Sequence, residues 1–293
     1  MKNIVCFGEI LWDVFPNHKK IGGAPLNVAF RLKSFENNVS IISSIGDDTK
    51  GEEIIDLIKK RGISVEHIQI DGKLKTGKVN VMLNRKGSAS YDIKFPRAWD
   101  NIQLTEDVKN LAKNADAFIF GSLIARNDVS RNTLYELLKL ASYKIFDVNL
   151  REPYYTNEVL NHLMGQADFI KFNDDEIFEI SKQYGASGRS LEQTVKFIAE
   201  QTNTNSICVT KGRHGAILYD NGNFYYNSGY QIKVVDTVGA GDSFLASLIN
   251  ELLKKSSPQK AIDFACVVGA IVASSEGANP EIKKSDIDRF ITS

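Results

Sequence analysis

Short apolar runs alternate with amphipathic stretches along most of this chain. Ile4–Gly8, Val39–Ile45, Ala117–Gly121, Ile145–Val148, Phe169–Phe172 and Ile207–Thr210 are apolar at most positions, as strands buried on both faces are. Between them, Leu26–Phe35, Gly51–Arg61, Arg131–Tyr143, Asp175–Tyr184 and Leu191–Gln201 carry apolar residues at helical spacing, which predicts helices with one buried face. Strand and helix in alternation predict an α/β fold with a parallel sheet and helices on both faces. Ligands on such sheets collect at the carboxyl ends of the strands.

Two stretches, 11–20 and 67–99, have β character with no helix between the strands. Val79–Leu83 and Ser90–Ile93 alternate, and Asn84-Arg85-Lys86-Gly87 reads as a hairpin turn. These segments predict a small sheet outside the main one. Its apolar face must cover a ligand, the main body or a second subunit, so a lid and a homodimer through that lid are both expected readings. The chain from Phe224 to Val235 is also β-rich. No repeat or low-complexity linker divides the chain, and residues 1–293 are expected to form one domain.

Candidate chemistry concentrates near the C-terminus. Val234-Val235 reads as the end of a short strand. It leads into Asp236-Thr237-Val238-Gly239-Ala240-Gly241-Asp242-Ser243-Phe244, where Phe244, Leu245, Leu248, Ile249, Leu252 and Leu253 begin a helix. A helix N-terminus offers unpaired N–H groups and partial positive charge to a phosphate. Gly239 and Gly241 leave room for it. An acid in such a cradle has two readings: Asp242 (or Ser243) caps the helix, or Asp242 is the base that takes a proton from a hydroxyl attacking a phosphoryl group. A dinucleotide loop is disfavoured, because Phe244 stands where the third glycine belongs. No P-loop pattern occurs in the chain.

At the other end, Gly8-Glu9-Ile10-Leu11-Trp12-Asp13 leaves the first strand and Gly22-Gly23-Ala24-Pro25-Leu26-Asn27 opens a helix. Asp13 and Asn27 offer acceptors and a donor suited to sugar hydroxyls. Alternatively, Pro25 only starts a helix and Asn27 is a surface amide.

Composition narrows the partners. Apolar residues are 43% and charged residues 25%, ordinary for a globular enzyme. Basic and acidic residues number 36 each, for a net charge of zero, which argues against nucleic acid. The cysteines Cys6, Cys208 and Cys266 are scattered, and no zinc-ligand spacing occurs. No apolar run approaches the ~20 residues of a membrane span, and the chain enters a strand with no leader pattern, so a cytoplasmic, membrane-free protein is expected.

Taken together, Gly22-Gly23-Ala24-Pro25-x-Asn27 and Asp236-Thr237-Val238-Gly239-Ala240-Gly241-Asp242 resemble the two motifs of the ribokinase-like (PfkB-type) carbohydrate kinases, in order and spacing and over essentially the whole chain. Asn173-Asp174-Asp175-Glu176 resembles the family's N-x-x-E motif, Thr210-Lys211-Gly212-Arg213-His214-Gly215 its nucleotide-binding segment, and Gly277-Ala278-Asn279-Pro280 its adenine-side loop. Glu9–Pro16, Ala98-Trp99-Asp100 and Phe146–Arg151 resemble bacterial fructokinases. Some relatives carry a histidine near the adenine where Cys266 stands, and a thiol cannot supply the same ring contact.

The resemblance implies a three-layer α/β/α fold with a β lid, and transfer of the γ-phosphoryl of ATP to a hydroxyl of fructose. Ribose, a keto-deoxy sugar acid or a nucleoside is the alternative acceptor, and a non-catalytic sugar-binding regulator a more distant one. Asp242 is then the base, ionised beside the helix N-terminus. The N–H groups of Gly239, Ala240, Gly241 and Asp242 form the anion hole. Asp13, Gly23 and Asn27 hold sugar, with Asn149, Arg151 and Trp99 beside them. Asn173, Glu176, Thr210, Gly212, Gly215, Cys266 and Asn279 attend the nucleotide. Magnesium sits near Glu176 through water, and potassium is expected at Asp236 and the Val238 carbonyl unless Asp236 is a turn acceptor.

Overall fold

The computed structural model describes residues 1–83, 89–186 and 188–291. In chain order the elements are β1 (Asn3–Phe7), β2 (Leu11–Val14), β3 (Lys19–Gly22), α1 (Ala24–Ser34), β4 (Asn38–Gly46), α2 (Thr49–Lys60), β5 (Ile68–Asp71), β6 (Gly77–Leu83) and β7 (Ala89–Ile93). There follow α3 (Glu106–Lys113), β8 (Ala117–Gly121), α4 (Asp128–Leu138), β9 (Lys144–Asp147), α5 (Asn157–Gln166), β10 (Phe169–Asn173), α6 (Asp174–Gln183), α7 (Leu191–Thr202) and β11 (Ser206–Thr210). The chain closes with β12 (Ala216–Asp220), β13 (Asn223–Asn227), α8 (Ala240–Leu253), α9 (Pro258–Ala273) and α10 (Lys284–Ile291).

Nine strands form the main sheet in the order β13-β12-β11-β10-β9-β8-β1-β4-β5, all running the same way except β12, which is antiparallel to both its neighbours. Successive side chains on a strand point to opposite faces, so each central strand feeds two cores. Val5, Phe7, Phe118, Phe120, Phe146, Ile170 and Phe172 face the layer of α3 to α7. Ile4, Cys6, Ile119, Ile145, Phe169 and Cys208 face α1, α2, α8 and α9. Apolar residues are therefore needed at almost every strand position, which is the pattern of the runs. Helix starts are chemically marked: Asp48, Thr105, Asn127, Thr156 and Ser257 cap helices, and Asn173/Glu176 and Ser190/Gln193 form reciprocal capping boxes.

The second sheet has four strands in the order β3-β2-β6-β7; β2 and β6 run parallel, the other pairs antiparallel. Leu11, Val79, Val81 and Ile93 are buried against the larger core, whereas Met82 and Tyr91 are exposed. The expected turn at residues 84–87 lies outside the described residues.

Three expectations are corrected. Residues 68–71 are not part of the outer sheet; they pair in parallel with β4 as the edge of the main one. Val234 and Val235 are not in a strand: both are exposed, and the Val235 N–H donates to the Ala273 carbonyl at the end of α9. The β character of Phe224–Val235 ends at Asn227.

A buried charge cluster joins the small sheet's outgoing segment to the main body. Arg126 donates to both oxygens of Asp100 (2.7 and 2.8 Å) and to the Lys94 carbonyl (2.8 Å). Its guanidinium lies 3.8 Å from the Trp99 ring centre and 4.9 Å from that of Tyr154. The Tyr154 hydroxyl in turn donates to the Ile93 carbonyl at the end of β7 (2.8 Å).

Candidate active site

Beyond the carboxyl ends of β1, β9, β10 and β11, the loops converge on the N-terminus of α8. Gly239 caps that helix at φ +76°, a left-handed conformation natural only for glycine. A side chain there would also strike Ala278: the ideal Cβ position is 2.5 Å from the Ala278 Cβ. The loop 236–241 and the loop 277–280 are thus fitted to each other. Asp236 fastens them, accepting from the Val238 N–H (3.0 Å) and the Gly277 N–H (3.3 Å). Lys20 of β3 approaches the same carboxylate at 3.4 Å.

Within the helix the Ser243 N–H is the first to close a turn, onto the Gly239 carbonyl at 2.8 Å. The Ala240 N–H turns back on the Thr237 carbonyl at 3.3 Å, so it is less available to an anion than the reading of the sequence supposed. The N–H groups of Gly241 and Asp242 remain those that helix geometry directs outward.

Asp242, in the first turn of α8, is gripped from the other motif. Asn27 on α1 donates its amide to Asp242 Oδ2 at 2.8 Å, and Asn279 donates to Asn27 Oδ1 at 3.0 Å. The three residues are far apart in the chain and form one hydrogen-bonded row. Burial pushes the Asp242 carboxyl up to about 6, with Asp147 adding to the rise and Asn27, Lys171 and Arg151 opposing it. The helix end was expected to favour the ionised form; burial prevails, yet the group is still mostly ionised at pH 7.

Around it, Glu9 accepts from the Ala24 N–H at 3.2 Å, and burial raises it to about 7. Asp13 is raised to about 6, again mainly by burial. The positive charge of Arg151, exposed in the loop after β9, lowers Glu9, Asp13 and Asp242 alike against the effect of burial. Gly23 has φ +110°, and a Cβ there would stand 2.2 Å from the Glu9 carbonyl oxygen, so only glycine fits between β1 and α1. Asn149 takes a positive φ of 39° after β9, and its carbonyl lies 3.4 Å from the donating Ser122 hydroxyl. Trp99 is wholly buried beneath Arg126. It supports the small sheet from inside, where the sequence had placed it beside sugar.

The nucleotide-side residues fall at the ends of β10 and β11. Glu176 closes the capping box of α6 onto the Asn173 N–H (2.8 Å) and also accepts from the Leu150 N–H (2.9 Å). It is buried, which raises its pKa against the pull of Lys171. The Thr210 hydroxyl donates to the Phe172 carbonyl at 3.3 Å. Gly212 opens a short turn that Gly215 closes; a Cβ at Gly215 would be 2.0 Å from the Asn227 carbonyl oxygen. Cys266 is buried on α9: burial pushes its thiol up to about 12, with Asp263 adding to the rise and Lys211 opposing it. It is a neutral, small wall.

Reading the sequence missed three groups in this region: Glu9, Asp147 and Lys171. All are buried. The one signal for Lys171 was a lone charge inside the apolar run Phe169-Ile170-Lys171-Phe172.

Comparison with known proteins agrees with this geometry. Residues 1–285 match the model of the pfkB family carbohydrate kinases. A probable fructokinase-5 of Arabidopsis thaliana is 27% identical over 308 aligned positions, covering 95% of this chain and 94% of the relative. The crystal structure of an uncharacterized sugar kinase from Pyrococcus horikoshii superposes with a TM-score of 0.83 at 27% identity, over 99% of this chain and 97% of that one. A fructokinase from Vibrio cholerae, solved with fructose, ADP and calcium ion, superposes with a TM-score of 0.85 at 22% identity over 99% of each chain. Motif, fold and the Asn27–Asp242 row lead to one conclusion: the chain belongs to the pfkB family of carbohydrate kinases.

Proposed function

We propose that this kinase transfers the γ-phosphoryl of ATP to a primary hydroxyl of fructose, with Asp242 as the base. The observation that carries the reading is the placement of Asp242 beside the outward N–H groups of α8, with its carboxylate aimed by Asn27. As the sugar oxygen attacks the γ-phosphorus, the bond to the bridging oxygen of ADP breaks. The hydroxyl proton passes to the Asp242 carboxylate. The Gly241 and Asp242 N–H groups meet the charge on the transferring oxygens. Asp13, Gly23 and Asn27 are the sugar contacts, with Asn149 and Arg151 at the rim; Thr210, Gly212, Gly215, Cys266 and Asn279 line the nucleotide side.

A magnesium ion held through water would find Glu176 as its oxygen donor near the cradle; among the described residues no group of three or more His, Cys, Asp or Glu is placed to hold a metal directly. Such an ion would neutralise charge on the ATP phosphates. At Asp236 the observed bonds favour its loop-closing role, since two N–H groups and the Lys20 ammonium already meet the carboxylate; potassium at Asp236 and the Val238 carbonyl is the second reading there.

The small sheet supplies β2 and β3, and with them Asp13 and Gly22, so its movement over the cleft would exclude water from the phosphoryl group. A second copy of the chain would meet this sheet where Met82 on the outer face and Tyr91 at the uncovered end of the inner face are exposed, which light scattering tests. No helix among the described residues is long and apolar enough to cross a membrane, and a cytoplasmic site of action accords with an ATP-using enzyme.

A coupled assay with ATP and a panel of fructose, ribose, a keto-deoxy sugar acid and a nucleoside tests the reading. Fructose should give the highest kcat/KM. A better rate with any other acceptor overturns the choice of sugar, and no transfer to any of them overturns the reaction.

A further inference from the structure

Among the described residues, the main sheet carries one charged pair in its interior. Lys171 and Asp147 are 6% and 4% exposed, and Lys171 Nζ donates to Asp147 Oδ1 at 2.8 Å. On β10 the alternation of side chains puts Phe169 and Lys171 on the face that packs against α8. Ile145 and Asp147 lie on the same face of the neighbouring β9. The ammonium therefore lies between the sheet and the first turn of α8: the ideal Cβ position at Gly241 is 3.7 Å from Lys171 Nζ.

Stability does not account for this arrangement. A buried ion pair gains little over apolar residues of the same volume, because both charges must be desolvated. Its location is also adverse, since the N-terminus of α8 already carries partial positive charge. Burial opposes the charge on Lys171, but Asp147, Glu176 and Asp242 more than offset it, and its pKa is raised. The result is a permanent cation directly behind the N–H groups that face the phosphoryl group.

We propose that Lys171, held in place by Asp147, is the fixed positive charge of the phosphoryl cradle and stabilises the γ-phosphoryl group from behind Gly241. The proposal rests on the kinase reading above and adds a residue to it. Lys171 is a positioning residue in this scheme: it acts through the field at the cradle, and Asp147 sets where that charge stands. Gly241 carries no side chain between the ammonium and the incoming phosphate.

The same pair bears on Asp242. The charged and hydrogen-bonding groups that face Asp242 are Asp147 on β9, Lys171 on β10, Arg151 after β9, Glu9 after β1, Asp13 on β2 and Asn27 on α1. Of these, Lys171 favours the ionised base and Asp147 disfavours it. Removing one or the other must therefore move the acid limb of the rate profile in opposite directions. A pair that served packing alone would not do that.

The test uses Lys171→Met, Lys171→Arg, Asp147→Asn and the double variant Lys171→Met/Asp147→Asn, which leaves no uncompensated buried charge. Calorimetry compares ADP with the non-hydrolysable ATP analogue AMP-PNP, and kcat/KM is followed from pH 5 to 8. Lys171→Met and the double variant should bind ADP like the wild type yet lose AMP-PNP affinity about tenfold or more. Lys171→Arg should restore most of it. The acid limb should move up in pH for Lys171→Met and down for Asp147→Asn. Equal losses for both nucleotides, no loss for either, or limbs that move the same way overturn the proposal. If the wild type phosphorylates no sugar, the proposed function fails; the ADP/AMP-PNP contrast is still read, because it needs no acceptor.

Discussion

The two sheets of this molecule solve different problems with the same element type. The nine-stranded sheet is covered on both faces, and its carboxyl edge holds charges that would be unstable anywhere else: Glu9, Asp147, Lys171, Glu176 and Asp242 are all desolvated or ion-paired there. The four-stranded sheet is only partly covered: Met82 on its outer face is exposed, and so is Tyr91, which pairs with the buried Val81 on the inner one. Phosphoryl transfer needs fixed dipoles that do not relax when charge moves, and a rigid, doubly covered sheet supplies them. A pocket that must admit a sugar and then exclude water needs an element with few packed neighbours. The charges of the candidate site thus belong to the first sheet and the proposed closure to the second, and the comparison can be attacked at either one.

The strongest blow falls on the rigid side. Asp242→Asn should keep the fold and lower kcat by about 100–10,000-fold, the range of a positioned general base; a turnover within a few-fold of wild type would make Asp242 a helix cap. The same variant should be the more stable protein in alkaline buffer. Asp242, Glu9 and Asp13 have folded-state pKa values of about 6, 7 and 6, above those of ordinary carboxyls. The folded state therefore binds more protons than the unfolded one between roughly pH 4 and 7. Stability should rise as pH falls through the folded pKa and is fully gained only below the unfolded one. Thermal melts at pH 8 should place Asp242→Asn above wild type, with the gap closing toward pH 5.

Next in size is Asp13→Ala. Loss of a charged hydrogen bond to a hydroxyl is worth about 1.5–3 kcal/mol, so KM for sugar should rise about 10- to 100-fold with KM for ATP little changed. Equal rises would remove Asp13 from the sugar pocket. Gly23→Ala tests the seam between the regions: its positive φ alone costs about 1–3 kcal/mol, and the Glu9 carbonyl blocks a Cβ. Denaturant melts should show at least that loss. The smallest effect belongs to the outer sheet. The exposed pair Lys20–Asp236 should be worth no more than about 1 kcal/mol. Lys20→Met should therefore leave the melting temperature nearly unchanged. It should also sharpen any potassium dependence of kcat by uncovering Asp236.

The comparison also shows what a sequence can disclose. The central strands were visible because burial on two faces forces unbroken apolar runs. Strand β12 and helix α9 were not, the first because it follows β11 after a short turn, the second because it is apolar nearly all round and lacks a polar stripe. The base and its glycines were legible because helix ends and tight turns restrict residue type. Asp147 and Lys171 were not, since a lone charge in a strand looks the same whether it reaches solvent or lies under a helix. The partner of Asp242 emerged only with the fold: nothing local ties Asn27 to a residue on α8.

The Arg126 cluster sets the mechanics of the outer sheet. Arg126 grips the Lys94 carbonyl and Asp100, and Tyr154 grips the Ile93 carbonyl. The exit of β7 is therefore bolted to the body of the enzyme, while β2 and β3 at the other side of the sheet carry Asp13 and lead to Gly23. A swing of the sheet would have to leave the Arg126 end in place, and the packing around Trp99 with it.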